Sequence, residues 1–417
     1  MHSFRFKDDG YLYCEDIKIN DIAEKYGTPS YIYSYKTFTD HFRKLKEAFS
    51  GIENLICYSV KSCSNIAFLN IIDSMGGGFD IVSIGELRRV EKAKGNIKNC
   101  VFAGVGKKEE ELTEALEKGI FSFTVESPQE LELLEKCAQK ISKQASFAIR
   151  VNPDVDPETH RYISTGKKEN KFGIDMETAF SLYRGAKGSS YLLPEGVHMH
   201  IGSQITTLAP YIEAIEKMGV FIGRLKKEGI DLKYFDIGGG FGIVYNAETP
   251  PQAEHIREKL VPLLKEIGLK VLIEPGRFIA GNAGVLATKV LYVKESPVKR
   301  FAIVDAGMND LIRPSLYEAY HKIVKTKKDK SVKSFIYDIV GPICESGDYL
   351  ALSREIPEIK SGDYLAVMSA GAYGFSMSSN YNSRPRPPEI LVKGEKVYVI
   401  RERESFEDLT RGEHIIS

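Results

Sequence analysis

The chain has 417 residues, enough for about two globular domains with large cores. Fifty-seven basic residues balance fifty-seven acidic ones, which excludes an overall field drawing the protein to nucleic acid or to a membrane surface and leaves any anion to a local site. The first residues carry no apolar signal core, no apolar run approaches the ~20 residues of a membrane span, and the six cysteines (Cys14, Cys57, Cys63, Cys100, Cys137, Cys344) are scattered without a C-x-x-C pair, so a cytoplasmic protein with reduced thiols, no disulfide framework and no zinc site is expected.

Residues 1–30, with Tyr11-Leu12-Tyr13-Cys14 and Ile17-Lys18-Ile19, read as extended. From residue 54 to 278 short β-branched or aromatic runs alternate with amphipathic stretches of helical spacing. Eight strands are predicted, at 54–61, 78–83, 99–103, 121–125, 146–152, 196–202, 234–238 and 270–274. Helices between them include 107–118, 127–143 and 208–228, the second opened by Ser127-Pro128 as N-cap and first helical residue. Eight strand–helix repeats predict a (β/α)8 barrel spanning 31–280. Beyond 280, short strands separated by Gly and Pro turns (284–293, 300–304, 335–340, 364–367, 396–400) predict a β-rich second domain over 281–417, which residues 1–30 are expected to join.

Barrel enzymes place their chemistry at the C-terminal ends of the strands, and the polar residues cluster there: Lys61, Asp80 and Ser83, Gly104, Glu126, Arg150 and Asn152, His200 and Ser203, Gly238-Gly239-Gly240, then Glu274 and Arg277. A lysine ending a strand is usually a solvated charge, but in a partly desolvated site its amine is a nucleophile able to form a Schiff base with an aldehyde such as pyridoxal phosphate. The glycine triplet is by itself a tight turn. After the seventh strand it stands where such barrels bind phosphate, and without Cβ atoms its N–H groups can surround one.

His198 and His200 stand at period two, with His200 nearer the mouth. No third zinc-type ligand stands at a matching spacing, so a packing or stacking role is expected and no metal. Glu274-Pro275-Gly276-Arg277 reads either as a surface ion pair or, beside a pyridoxal ring, as a carboxylate for the pyridine nitrogen and an arginine for a substrate carboxylate. Cys344 next to Glu345 and close to Asp348 is an unusual setting for a thiol. To act, it must reach the barrel mouth across domains or across a dimer interface.

With these residues in place the chain resembles the group IV, alanine-racemase-fold (fold-type III) decarboxylases that use pyridoxal 5'-phosphate, most closely the diaminopimelate decarboxylases, over nearly its whole length. The resemblance is carried by Tyr58-Ser59-Val60-Lys61, Gly78-Phe79-Asp80-Ile81-Val82-Ser83, Thr165-Gly166 through Lys171-Phe172-Gly173-Ile174, His200-Ile201-Gly202-Ser203-Gln204, Gly238-Gly239-Gly240-Phe241-Gly242 and Glu274-Pro275-Gly276-Arg277. It continues through Asp305-Ala306-Gly307-Met308-Asn309-Asp310, Arg313-Pro314-Ser315-Leu316-Tyr317-Glu318-Ala319, Cys344-Glu345-Ser346-Gly347-Asp348 and Ala372-Tyr373-Gly374.

The resemblance implies conversion of meso-2,6-diaminopimelate to L-lysine and CO2 by a homodimer with shared active sites. It implies that Lys61 holds the cofactor covalently, that His200 stacks on its ring, that Glu274 pairs with the pyridine nitrogen, and that phosphate falls to Ser203, Gly239, Gly240 and Tyr373. Asp80, Gly276 and Arg277 are also expected to line the cofactor. Arg277, Arg313, Tyr317 and Tyr373 are expected at the substrate, with Glu345 on its distal amino group and Cys344 as proton donor, both from the neighbouring subunit.

Relatives commonly read Y-A-V-K-A-N around the lysine, whereas Ser59, Ser62 and Cys63 stand here in place of the two alanines and the asparagine. A racemase is disfavoured because the resemblance puts arginine, not Glu274, at the pyridine position of those enzymes. A regulatory relative without catalysis is disfavoured because such proteins lose cofactor-holding residues. Gly166–Gly173 has the composition of a lid or of an ordinary exposed loop.

Overall fold

The computed structural model describes residues 2–156, 171–328 and 333–416. The chain forms two compact units, one built from residues 41–243 and 249–278, the other from 1–40, 244–248 and 279–417. The resemblance segment 165–170 and the 166–170 part of the expected lid lie outside the described residues.

The first unit is a closed barrel of eight parallel strands: β1 Asn54–Ser59, β2 Gly78–Ile81, β3 Cys100–Phe102, β4 Ser122–Val125, β5 Ala145–Arg150, β6 Leu192–His198, β7 Tyr234–Asp236 and β8 Lys270–Ile273. All eight predicted strands are present in the predicted order, with shorter ends. Leu55, Cys57, Val101, Ala148, Tyr234 and Leu272 cluster in the core, drawn mostly from alternate strands, as a layered barrel interior requires. The Tyr234 ring leaves no room opposite it. A Cβ on Gly196 would lie 2.0 Å from that ring, which is why β6 carries glycine there.

Helices Glu109–Lys118, Pro128–Lys140 and Ala209–Lys227 answer the three predicted ones. Ser127 caps the second, its Oγ accepting from Glu130 N at 3.1 Å with Pro128 in the first turn.

Between β3 and β4, Lys107 is buried with all three ammonium protons used, donating to the Gly104 and Thr124 carbonyls at 2.7 Å each and to Glu130 Oε1 at 2.5 Å. Removing one partner of a buried pair strands the other charge. Lys107→Met is therefore expected to destabilise the protein by about 3–5 kcal/mol. Lys107→Met/Glu130→Leu is expected to recover most of that loss, read from unfolding midpoints in denaturant.

The second unit holds a nine-stranded sheet whose main path runs Tyr349–Pro357, Ser334–Val340, Arg300–Val304, Gly284–Glu295, Ser30–Ser34, Glu389–Lys393, Lys396–Arg401. Residues 1–40 belong to this unit; within it Phe4–Phe6, Leu12–Cys14 and Ile17–Lys18 form an antiparallel three-stranded sheet of their own and meet the large sheet through the shared core of Phe4, Leu12, Cys14, Val285, Ala287 and Ile390. One finding differs from the sequence reading. Ser30–Ser34, placed by the sequence reading mostly at the start of the barrel, pairs with Gly284–Glu295 and Glu389–Lys393 instead. All five of its residues are buried, so it lacks the alternation that would have marked it as a sheet strand. Among the described residues no helix is long and apolar enough to cross a membrane.

Candidate active site

β1 ends at Ser59, and Lys61 stands in the one-turn 3-10 helix Val60–Ser62 that follows, beyond the strand rather than in it. Its ammonium is ion-paired and closely hydrogen-bonded to Asp80 Oδ2 at the end of β2. The lysine side chain is 39% exposed and the aspartate 0%, so the amine is within reach of a ligand while its counter-ion is dry. The hydroxyl of Ser59 lies 2.8 Å from Asp80 Oδ2 and 3.0 Å from the Glu274 carbonyl. Ser62 Oγ donates to the Ser59 carbonyl at 2.8 Å. The departures from Y-A-V-K-A-N thus place the Ser59 hydroxyl beside the lysine's counter-ion and the Ser62 hydroxyl on the Ser59 carbonyl. A Cβ on Gly276 would fall 2.9 Å from Ser62 Cβ and 3.0 Å from Ser59 Cβ, so this glycine admits both serines.

Glu274 follows β8 and is buried with His198 and Asp236 from the ends of β6 and β7. Potential ligand atoms of the three lie within 4.8 Å of one another, a metal-type set that sequence spacing did not reveal and that does not include His200. His198 Nε2 sits 3.2 Å from Glu274 Oε2. Burial pushes the Glu274 carboxyl up, but the charge and hydrogen bond of His198, together with the charge of Lys61, bring it down to about 2. Burial and then the Glu274 charge push Asp236 well above the ordinary carboxyl range. Neighbouring acids are thus driven apart, one carboxyl down and the other up. Burial followed by the Glu274 charge also raises Asp80, against the pull of Lys61. Glu86, which accepts from Val82 N at 2.8 Å, is pushed up to about 7 by burial, against the Lys61 charge.

His200 lies two residues past the end of β6, which runs Leu192–His198 rather than 196–202. Burial and then the Arg150 charge push its pKa well below the usual value. Its Nδ1 accepts from Gly239 N at 3.1 Å, which fixes a neutral ring. The Gly239 N–H expected at a phosphate is thus bonded to His200 in this structure. A Cβ on Gly239 would meet the Glu274 carbonyl at 2.0 Å and one on Gly240, at φ +95°, would meet the Gly202 carbonyl at 2.2 Å, so this turn tolerates no side chain. Ser203 Oγ accepts from Arg277 Nη2 at 3.1 Å. Glu126 ties the ends of β3, β4 and β5 together, accepting from Gly104 N at 3.2 Å and Gly173 N at 3.1 Å and pairing with Arg150 at 3.4 Å.

The β-rich unit carries the remaining predicted residues. Arg313 and Tyr317 bound the helix Arg313–Tyr317, with Arg313 buried and Tyr317 half-buried. Tyr373 is held at φ +55°, a backbone state costly for a non-glycine residue. Cys344 and Glu345 are exposed, and Cys344 is the one exposed cysteine of the six. Their loop is pinned from below by Asp348, which accepts from Ile343 N and Met308 N at 2.6 Å each. Ser315 Oγ donates to the Gly347 carbonyl at 2.5 Å and joins that loop to the Arg313 helix. The sequence reading met His198 and Asp236 within motifs but not as partners of Glu274, and it missed His321 and Tyr245, which carry no local motif.

A fit to pyridoxal phosphate is tested by what the buried groups leave open. Glu274 Oε2 is taken by His198, whereas Glu274 Oε1 is buried without a hydrogen-bond partner. A buried oxygen in that state is open to a donor from a ligand, the neighbouring Asp236 carboxyl being the protein group beside it able to supply one. The side-chain-free glycine turn suits a phosphate, and Lys61 offers an amine for an aldehyde. The residues fit the group.

Residues 35–281 match the family model described as pyridoxal-dependent decarboxylase, pyridoxal binding domain. Diaminopimelate decarboxylase of Haemophilus influenzae is 47% identical over 410 residues, covering 98% of each chain, and that of Vibrio cholerae is 46% identical over the full length of both. Diaminopimelate decarboxylase of Helicobacter pylori, solved with L-lysine, superposes with a TM-score of 0.91 at 42% identity, covering 94% of this chain and 98% of that one. Near-half identity end to end, together with a barrel mouth that fits the cofactor, shows that the chain belongs to the diaminopimelate decarboxylase family of pyridoxal-dependent decarboxylases.

Proposed function

We propose that the protein decarboxylates meso-diaminopimelate to L-lysine and CO2, the last step of lysine biosynthesis by the diaminopimelate route, as a cytoplasmic homodimer dependent on pyridoxal 5'-phosphate. The observation that carries the reading is the buried Glu274 carboxylate, held ionised by His198 with Oε1 left for a ligand donor. Full-length relatives of that name support the substrate.

When bound, pyridoxal phosphate supplies an aldehyde for Lys61 and an electron sink for the pair left by departing CO2. Lys61 would hold the cofactor through its amine and serve product release. Asp80 keeps the lysine amine in place, with Gly276 lining the cofactor. Glu274 keeps a proton on the ring nitrogen. His200 offers a neutral flat face, and Ser203, Gly239, Gly240 and Tyr373 serve the phosphate. Arg277, Arg313, Tyr317 and Tyr373 bind the substrate. Cys344 donates the proton that replaces CO2 and Glu345 receives the distal amino group, both from the partner protomer. Their exposure on a pinned loop supports that assignment.

A decarboxylase acting on ornithine, arginine or a carboxylated polyamine is the rival. Such substrates lack the distal carboxylate that Arg277 and Arg313 would bind, and mispaired charge disfavours them. Cofactor-loaded protein given meso-diaminopimelate, ornithine and arginine in parallel is expected to yield lysine from the first and no product from the others. Turnover of ornithine or arginine instead would overturn the reading.

A further inference from the structure

The Arg313 guanidinium is set by its neighbours within the β-rich unit. His321, 0% exposed, has Nδ1 2.9 Å from the Met368 carbonyl and Nε2 2.9 Å from Arg313 Nη1. A carbonyl only accepts, so Nδ1 carries the proton. Nε2 of that neutral ring is then the acceptor for Arg313, since a guanidinium only donates. Protonating Nε2, or moving the proton to it, would set two donors against each other.

The geometry is fixed on both sides. His321 lies two residues before the strand Ile323–Lys325, whose register pairs Ile323 with Val367, and Met368 N donates to the Lys322 carbonyl at 2.8 Å. Tyr245, buried, stacks edge-on to the imidazole with ring centres 5.3 Å apart at 82°. Its own face lies 4.8 Å from the guanidinium carbon of Arg313, a cation–π distance. A guanidinium is planar and recognises a carboxylate through two parallel N–H groups, so its use depends on the orientation of that plane.

We propose that His321, in its Nδ1–H form, is the positioning residue for Arg313 and thereby sets affinity for the carboxylate at the distal end of the substrate. This rests on the reading of Arg313 under Proposed function.

L-Lysine is the probe, because it retains that distal carboxylate. Its binding to the cofactor-loaded enzyme is read from the change in cofactor absorbance. Asn at 321 keeps a donor for Met368 but its amide falls short of Arg313, whereas the longer Gln reaches it. H321N is expected to weaken lysine about tenfold, and H321Q to stay within about threefold of the parent. On an R313K background H321N is expected to add little. Should H321N fail to retain cofactor, H321M replaces it with the same expectation.

If R313K leaves lysine affinity unchanged, the reading of Arg313 falls and the inference with it. The inference alone falls in any of three cases: R313K weakens lysine while H321N does not; H321N and H321Q weaken it equally; or H321N acts as strongly on R313K as on the parent.

Discussion

Lys61→Ala is expected to bring lysine formation to background, a loss of roughly 10^4-fold or more, because the displaced and returning amine has no substitute among the neighbouring groups. Two features of the structure sharpen the experiment. Asp80 is wholly buried and pairs with this lysine, so alanine also strands a carboxylate. Lys61→Arg keeps the charge on Asp80 but not a nucleophilic amine, and is expected to be as inactive as the alanine variant while staying closer to the parent in thermal midpoint. Near-normal turnover by either would sink the assignment. The shared-site proposal adds a second readout. Cys344→Ala is expected to be inactive in its own homodimer. Equal mixing with Lys61→Ala makes half the dimers mixed, each with one intact site of two, and should restore about a quarter of parental activity. No recovery on mixing, with exchange of protomers verified, would place Cys344 outside the partner's site.

The barrel was legible because its strands are short β-branched and aromatic runs set between amphipathic helices, and each of the eight is present. The ends were read too long. Val60 and Lys61 look like strand residues, yet they turn into a 3-10 helix that lifts the lysine clear of the sheet. β6 was read too late in the chain because Pro194 and a register shift before Gly196 mask its first half. Single-residue candidates stood out wherever a charge ended a strand.

What remained hidden were relations between strands. His198 is register-paired with Asp236, and Asp236 with Leu272, two residues before Glu274, so parallel pairing of β6, β7 and β8 assembles three groups that lie far apart in sequence. The pairing of His321 with Met368 and Arg313 is of the same kind: without the sheet register, His321 reads as one more buried histidine. The strand Ser30–Ser34 was missed for the complementary reason, since burial on both faces erases the alternating pattern.

Glu274→Gln is expected to lower kcat by about 10^2–10^3-fold, the usual consequence of removing a preorganised charge from a dry site. The factor should be the same at pH 6 and pH 9, because a carboxyl brought down to about 2 does not titrate in that range. The sign extends to stability. Glu274 titrates below its ordinary value of 4.5 in the folded protein, so its contribution is present above that pH and is lost as pH falls toward 2. His198 creates this condition. Without its charge and hydrogen bond, only the lesser charge of Lys61 opposes the burial that pushes the Glu274 carboxyl up. His198→Leu is therefore expected to give kcat an acid limb at higher pH than any the parent shows, with activity lost as pH falls and the cofactor absorbance changing over the same range. Parallel pH profiles for His198→Leu and the parent would show that the histidine packs the site without setting the charge on Glu274.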